Sequence, residues 1–347
     1  MTANQRGQLM AAEIEEQPLA LSRLLDRGLE PIRAIADQIR EFDPQMVLLC
    51  GRGTSDHAAL YFKYLLEIKQ QIPVGLVSPS TLTSYNAQPK LARVLWVTVS
   101  QSGGSPDLVD ATAAARSCGA LTVAVSNASD SPLAAVAELN VEIMAGPEKA
   151  VAATKSYTSQ LLALYLLADA WAGGDASVAT TLPLFAQQVI DAKGGARIAS
   201  RYRFVEKIVI TARGYAYPTA REGALKLIET CYLSAHPFSS ADLMHGPLAM
   251  IDHSHPVIAI APEGIGGELI QPVLDRLADQ DADIVVIGSS AHASGAADLI
   301  ELPVGIPEEI SPIVQIIPLQ QLAQVMAVAR GYDPDAPRGL LKVTETH

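Results

Sequence analysis

Residues 94–106 read VLWVTVSQSGGSP, and this stretch decides the fold. Its first six residues are apolar or β-branched, as expected for a strand buried on both faces of a sheet. A polar loop with two glycines follows, and Pro106 suits the first turn of a helix. Because a buried strand passes through a loop into a helix, the stretch predicts a βαβ unit and a parallel sheet.

The same pattern recurs on both sides of this strand and again in the second half of the chain. Buried strands are predicted at 46–50, 94–100 and 121–127, with matching stretches at 207–214, 257–264 and 283–290. The offset is 161 positions from Arg52 to Arg213 and 162 from Ser126 to Gly288. This nearly constant offset favours two tandem doubly wound, flavodoxin-like α/β units over a chance alternation of elements.

The proposed organisation is an N-terminal helical segment at 1–42, a first domain at 43–195 and a second domain with a C-terminal tail at 196–347. Apolar residues within 9–42 have the spacing of a buried helix face, and Pro18 predicts a break into two helices.

Composition excludes several classes of function. Apolar residues make up 49% of the chain and the formal net charge is −12, which indicates a globular protein and argues against nucleic acid as a partner. The three cysteines suit neither a disulfide framework nor a metal site. We predict no metal, no membrane span and no signal peptide, and we expect a cytoplasmic protein.

The loop after the central strand has the composition of an oxyanion site. Ser100, Gln101, Ser102 and Ser105 can donate hydrogen bonds, and the glycines let the backbone approach a phosphate at a helix N-terminus. Ser55 follows the first strand and should lie at the same edge of the sheet. For Ser105 a plain helix N-cap is the alternative interpretation.

A second group of charged residues lies on the predicted helix that follows the strand at 207–214. Glu222, Lys226 and Glu229 stand at i, i+4 and i+7 and therefore share one face. A solvated salt-bridge ladder has this spacing, and so does a carboxylate placed beside a lysine for proton transfer. His245 and Lys342 gain no role from spacing alone.

Taken together, these segments resemble the sugar-isomerase (SIS) family, in particular the isomerase part of the glutamine:fructose-6-phosphate amidotransferases. The resemblance covers about residues 8–347. The segments that carry it are 13–18 (EIEEQP), 53–58 (GTSDHA), 100–103 (SQSG), 145–148 (AGPE), 152–155 (AATK), 222–229 (EGALKLIE), 245–248 (HGPL) and 337–342 (PRGLLK).

This resemblance implies a role for each candidate residue. Those that would bind the sugar phosphate are Ser55, Ser100, Gln101, Ser102 and Ser105. Glu229 resembles the base that moves a proton between C1 and C2, and Lys226 and Glu222 resemble its supporting groups. Lys342 resembles the lysine that meets the open-chain carbonyl. His245 resembles a ring-opening histidine donated by the neighbouring subunit, which implies a homodimer with a shared active site and no cofactor.

Two departures from the amidotransferase pattern shape the expected reaction. No cysteine precedes Cys50, so we expect no intrinsic glutaminase domain. Ser105-Pro106-Asp107 and Ala153 replace residues of the amidotransferases and are more similar to SIS-type glucosamine-6-phosphate deaminases. The resemblance therefore implies conversion of glucosamine 6-phosphate and water to fructose 6-phosphate and ammonia.

Other members of the family stay open as alternatives. They are a galactosamine-6-phosphate deaminase, a fructosamine-6-phosphate deglycase and an ammonia-dependent synthase-like isomerase. A non-catalytic sugar-phosphate sensor is a further alternative, because a sensor needs the phosphate loop and not Glu229, His245 and Lys342.

Overall fold

The computed structural model describes residues 6–342. The N-terminal segment forms three helices: α1 (Gln8–Glu15), α2 (Gln17–Arg27) and α3 (Leu29–Phe42). The predicted break near Pro18 is confirmed, because proline is the second residue of α2, where its missing N–H costs nothing. The prediction of two helices is wrong, since a second break occurs at Gly28.

The first sheet contains five parallel strands in the spatial order β2-β1-β3-β4-β5. Their bounds are β1 (Met46–Cys50), β2 (Val74–Leu76), β3 (Val94–Ser100), β4 (Leu121–Ser126) and β5 (Leu139–Glu142). Every residue of β3 is buried, as its sequence predicts. The helices that accompany this sheet are α4 (Thr54–Leu65), α5 (Ser80–Thr83), α6 (Pro106–Ser117), α7 (Pro132–Val136) and α8 (Lys155–Trp171).

The second sheet repeats this topology, with five parallel strands in the order β10-β9-β8-β6-β7. Their bounds are β6 (Lys207–Ala212), β7 (Ser234–Ser239), β8 (Val257–Ala261), β9 (Ile284–Gly288) and β10 (Asp298–Glu301). The remaining helices are α9 (Leu182–Ala192), α10 (Gly194–Ile198), α11 (Tyr217–Cys231), α12 (Ser240–Met244), α13 (Ile265–Ala278) and α14 (Pro312–Ala329). The predicted fold of two tandem doubly wound α/β units is confirmed.

The chain divides into two compact units that are not continuous in sequence. The β1–β5 unit comprises Leu19–Glu148, Lys155–Thr181 and the tail from Leu341. The β6–β10 unit comprises the residues up to Pro18, Lys149–Thr154 and Leu182–Leu340. The domain boundaries inferred from the sequence stay a prediction.

One helix of the described chain, α14, is long and apolar enough to cross a membrane by length and composition alone. Within the fold, however, 78% of it is buried, and it packs on α9, α10 and α11 of its own unit. This is the behaviour of a core helix.

Each sheet contains a topological switch point, where the connections that follow two neighbouring strands run in opposite directions. In the first sheet β1 lies between β2 and β3, so the loops after β1 and β3 emerge side by side at the carboxyl edge. Ligands of open α/β sheets bind at this place. Ser55 and the loop at 100–105 therefore stand where the fold favours a ligand site.

Candidate functional site

The loop after β3 is held in shape by its own serines. The Ser100 hydroxyl oxygen accepts the Gly103 N–H at 3.2 Å, and the Ser102 hydroxyl oxygen accepts the Gly104 N–H at 3.2 Å. Gly103 has φ of 63°, and a Cβ there would overlap the side chain of Ser131. The loop is thus closely packed around a left-handed glycine, which no larger residue could replace without strain.

Ser105 occupies the N-cap position of α6, with an extended backbone at φ −68° and ψ 117°. Its side chain makes no capping hydrogen bond. The N-cap interpretation is therefore confirmed for the backbone and wrong for the hydroxyl. A serine that does not cap its own helix can direct its hydroxyl to another acceptor.

The negative charge of Asp107, in the first turn of α6, is neutralised by an arginine. Asp107 is 4% exposed, and its Oδ2 lies 2.9 Å from both Nε and Nη2 of Arg52. Arg52 comes from the turn after β1, so the pair connects the two loops at the switch point. The carboxylate next to the predicted phosphate loop therefore has its own cation.

Ser55 is buried near the start of α4, and a side chain from α8 contacts its hydroxyl. The Gln160 Nε2 donates to Ser55 Oγ at 3.0 Å, and Gln160 is fully buried.

Lys342 lies in the C-terminal tail and belongs to the same unit as the β3 loop. Its Nζ donates to Glu148 Oε2 at 2.8 Å. The buried Glu148 carboxylate also accepts the N–H of Ser156 at 3.0 Å and its hydroxyl at 2.6 Å. Three donors converge on one carboxylate, which fixes the position of the lysine.

The β6–β10 unit contains the other candidates, and three of them meet on α11. Lys226 Nζ lies 2.6 Å from Glu229 Oε2 and 3.3 Å from Glu222 Oε1. Glu222 and Lys226 are 0% and 1% exposed, so the alternative of a solvated ladder is wrong for them. The side chain of Glu229 is 22% exposed and is the member of the group that solvent and small molecules can reach.

Two opposing effects act on the pKa of Lys226. Burial alone would lower it, but the carboxylates of Glu222 and Glu229 outweigh burial and raise it above the ordinary lysine value. Lys226 therefore stays a cation and cannot act as a base near neutral pH. Its chemical capacity is to hold and orient the Glu229 carboxylate.

His245 is exposed and follows α12. Its Nδ1 lies 2.7 Å from the Ala241 carbonyl oxygen, which can only accept a hydrogen bond. Nδ1 is therefore the protonated nitrogen of the neutral ring, and Nε2 is the one that can exchange a proton with a ligand.

The switch point of the second sheet is arranged differently, because a carboxylate of the chain itself occupies it. Glu308 accepts the N–H groups of Ile265 and Gly266, both at 2.9 Å, at the start of α13. Gly264 has φ of 111°, and a Cβ there would lie 2.5 Å from Glu308 Oε2. The amides that could bind an external anion in this unit already have an internal one.

Metal-ligand clusters and thiol nucleophiles are further groups that could carry chemistry in a protein of this kind. Within residues 6–342 no cluster of three or more His, Cys, Asp or Glu residues is placed to bind a metal ion. Burial raises the pKa of Cys50 to about 12 and that of Cys231 to about 11, so both thiols stay protonated near neutral pH.

Sequence reasoning missed three residues that support the candidate site. Glu148 lies in a motif that the sequence analysis quoted without assigning it a role, and Arg52 has no signal beyond its place after β1. Gln160 could have been noticed as an isolated amide at the start of an apolar run, LLALYLL at 161–167.

Comparison with known proteins gives a consistent result. The model of the SIS domain family matches residues 42–170 and again 203–330. A glutamine–fructose-6-phosphate aminotransferase (isomerizing) from Methanothermobacter thermautotrophicus is 35% identical over 338 residues, which cover 96% of this chain and 56% of that protein. The chain thus spans little more than half the length of this curated relative.

Solved structures agree with this match. A Silicibacter pomeroyi protein, provisionally described as a phosphosugar isomerase, is 32% identical, with a TM-score of 0.85 over 94% of this chain and 99% of that one. A glucosamine-6-phosphate deaminase from Thermotoga maritima shares the fold, with a TM-score of 0.80 and 21% identity over 98% of this chain and 100% of its own.

Proposed function

The chain belongs to the SIS domain family, and on that premise we propose that it is an amino-sugar phosphate isomerase that deaminates glucosamine 6-phosphate. The products would be fructose 6-phosphate and ammonia. The observation that carries this proposal is the buried group of Glu222, Lys226 and Glu229 on α11.

The buried charges of Glu222 and Lys226 are costly to desolvate and are poor contributors to stability. A protein that only binds a sugar phosphate would have no use for them. A carboxylate that is partly exposed and held by a permanently charged lysine suits proton transfer. We therefore assign Glu229 as the base and Lys226 and Glu222 as the groups that hold it.

The proposed chemistry needs one base and no redox step. With the sugar ring open, Glu229 removes the proton from C2, which carries the amine, and the electrons form an enolamine with C1. Return of this proton to C1, together with net transfer of a proton from the amine nitrogen to O1, gives a hydroxymethyl group at C1 and an imine at C2. Water adds to this imine and ammonia leaves, so the sugar is converted to the 2-ketose with all atoms balanced.

The other candidates complete the proposal. His245 would open the ring through Nε2, and Lys342 would meet the open-chain carbonyl. The phosphate would be bound by the hydroxyls of the β3 loop together with Ser55, since this edge of the sheet favours anions. The organisation we propose is a cytoplasmic homodimer in which His245 comes from the neighbouring subunit.

The names of similar proteins support the substrate class. The Methanothermobacter relative is named for a reaction on fructose 6-phosphate, and the Thermotoga structure is named as a glucosamine-6-phosphate deaminase. Because the chain covers only 56% of the former, we do not extend the use of glutamine to it.

The experiment that tests the proposal is exchange of the C2 hydrogen of glucosamine 6-phosphate with deuterium, followed by NMR, alongside ammonia release. Glu229→Gln keeps the size of the side chain but cannot accept a proton, so exchange and kcat should fall about 10²–10⁴-fold with little change in KM. Exchange at the wild-type rate would exclude Glu229 as the base and leave Glu222 as the next candidate.

A matched control is Glu30→Gln, which makes the same change at a side chain that is 81% exposed on α3. This variant should exchange the hydrogen like wild type. Ammonia release from glucosamine, galactosamine and fructosamine 6-phosphates separates the related enzymes from one another. Binding of all three without turnover would favour a sensor.

A further inference from the structure

A hydrogen bond connects α8 to α4, and its direction, from donor to acceptor, matters for anion binding. Gln160 on α8 is fully buried, and Ser55 on α4 is 6% exposed. Gln160 Nε2 is the donor to Ser55 Oγ, at 3.0 Å. The two residues are 105 positions apart, so this contact is made by the packing of the two helices and not by local sequence.

A serine hydroxyl has one proton to donate and two lone pairs that accept. Because Gln160 donates to Ser55, the hydroxyl uses a lone pair in this contact and keeps its proton for another acceptor. The dianion of a sugar phosphate, its main form at neutral pH, only accepts hydrogen bonds. The amide thus prepares Ser55 as a donor to an anion, the kind of bond that is strongest when one partner is charged.

Stability gives no reason for an amide at this position. The Gln160 Oε1 atom is buried and has no hydrogen-bond partner within residues 6–342. An unsatisfied buried oxygen is destabilising, and an apolar side chain of similar shape would avoid that cost. The same helix continues as an apolar run directly after Gln160.

We infer that Gln160 is a positioning residue for phosphate binding, which acts by orienting the Ser55 hydroxyl as a donor. This inference rests on the proposed function, in which Ser55 contacts the phosphate. It adds a residue from the interior of the β1–β5 unit to the proposed phosphate site.

The test is a double-mutant cycle on binding of inorganic phosphate and glucosamine 6-phosphate, measured by calorimetry on the full chain. Gln160→Met keeps the shape and removes the donor, so it should weaken binding of both ligands about tenfold, the scale of one perturbed hydrogen bond to a charged group. In a Ser55→Ala background the same change should have no effect, because its target is gone. Equal effects in both backgrounds would refute the inference.

A second variant reverses the direction of the hydrogen bond between residue 160 and Ser55. Gln160→Glu has the same shape, but its carboxylate would accept the hydrogen bond of the Ser55 hydroxyl and add a negative charge beside the ligand. Phosphate binding should fall more than about 100-fold. Wild-type affinity in this variant would also overturn the inference, even if Gln160→Met failed to fold.

Control variants separate a positioning role from a structural one. Gln321→Met makes the same change at a buried glutamine whose Oε1 also has no partner in the described chain and whose Nε2 donates to the Ile190 carbonyl. This control should bind phosphate normally. In steady-state assays, Gln160→Met should keep kcat within about twofold of wild type while KM rises, because the change affects only the binding of the phosphate group.

Failure of the proposed function would look different. If wild type did not bind inorganic phosphate or glucosamine 6-phosphate, both proposals would fall. If wild type bound them and Ser102→Ala weakened binding, but Gln160→Met acted independently of Ser55, only the inference about Gln160 would be wrong.

Discussion

Replacing Lys226 by methionine should lower the free energy of unfolding, because the carboxylates beside it on α11 would lose their cation. The methionine fills nearly the same volume, so little of the effect would come from a cavity. Glu222 is 0% exposed and would lose its cation, whereas Glu229, at 22% exposure, is partly screened by solvent. Removing one partner of a buried ion pair costs about 3–5 kcal/mol, most of which we assign to Glu222.

The pH dependence of this loss follows from the raised pKa of Lys226. A lysine whose pKa is higher in the folded state stabilises the fold fully below its unfolded value of 10.5, and this contribution is lost as the pH rises through the folded value. The contribution of Lys226 to wild-type stability should therefore be constant between pH 6 and pH 9 and decline only above about pH 10.5.

Urea denaturation followed by circular dichroism measures the loss, and hydrogen exchange of the β6 and α11 amides assigns it to the β6–β10 unit. The double variant Lys226→Met with Glu222→Gln contains no uncompensated buried charge and should recover most of the stability. A loss below about 1 kcal/mol in the single variant, or no recovery in the double, would refute the assignment of Lys226 as the compensating cation.

Three further predictions concern the proposed site. Ser102→Ala should raise KM for glucosamine 6-phosphate by the equivalent of about 1–3 kcal/mol with kcat nearly unchanged, and equal turnover of glucosamine and its 6-phosphate in steady-state assays would contradict a phosphate loop. Glu148→Gln keeps one acceptor oxygen for Ser156 but removes the charge that fixes Lys342, so kcat should fall about tenfold or more; unchanged kinetics would show that the contact only anchors the tail. Mixing inactive Glu229→Gln and His245→Ala chains should restore part of the activity through hybrid dimers, and no recovery after verified subunit exchange would argue against a shared site.

The strands that the sequence predicts are those at the centre of each sheet. β1, β3, β4, β6, β8 and β9 have continuous apolar runs because both of their faces are covered. The edge strands β2, β5, β7 and β10 have no comparable signal in the sequence. Val74–Leu76 has three residues, and Ser234–Ser239 contains a proline, a histidine and two serines, so neither has the composition of a buried strand.

The features of the candidate site also fall into those that the sequence predicts and those that it does not. Local spacing places Glu222, Lys226 and Glu229 on one face of α11, but i, i+4 spacing is identical on exposed and buried helices, so their burial could not be predicted. The partner of Lys342 lies 194 positions away in the sequence, and a single sequence contains no record of such a contact. The residue types predicted the chemistry. The fold was needed to show which neighbouring groups hold the candidate side chains in position.

The carboxylate of Glu308 at the second switch point has a consequence for stoichiometry. Although the fold is duplicated, one copy already has its amide donors satisfied by a covalently attached anion, whose effective concentration no free ligand approaches. Each chain should therefore take up one equivalent of sugar phosphate, at the β1–β5 unit. Calorimetric titration with glucosamine 6-phosphate should then saturate at one equivalent per chain, and two equivalents would show that the second switch point also binds ligand.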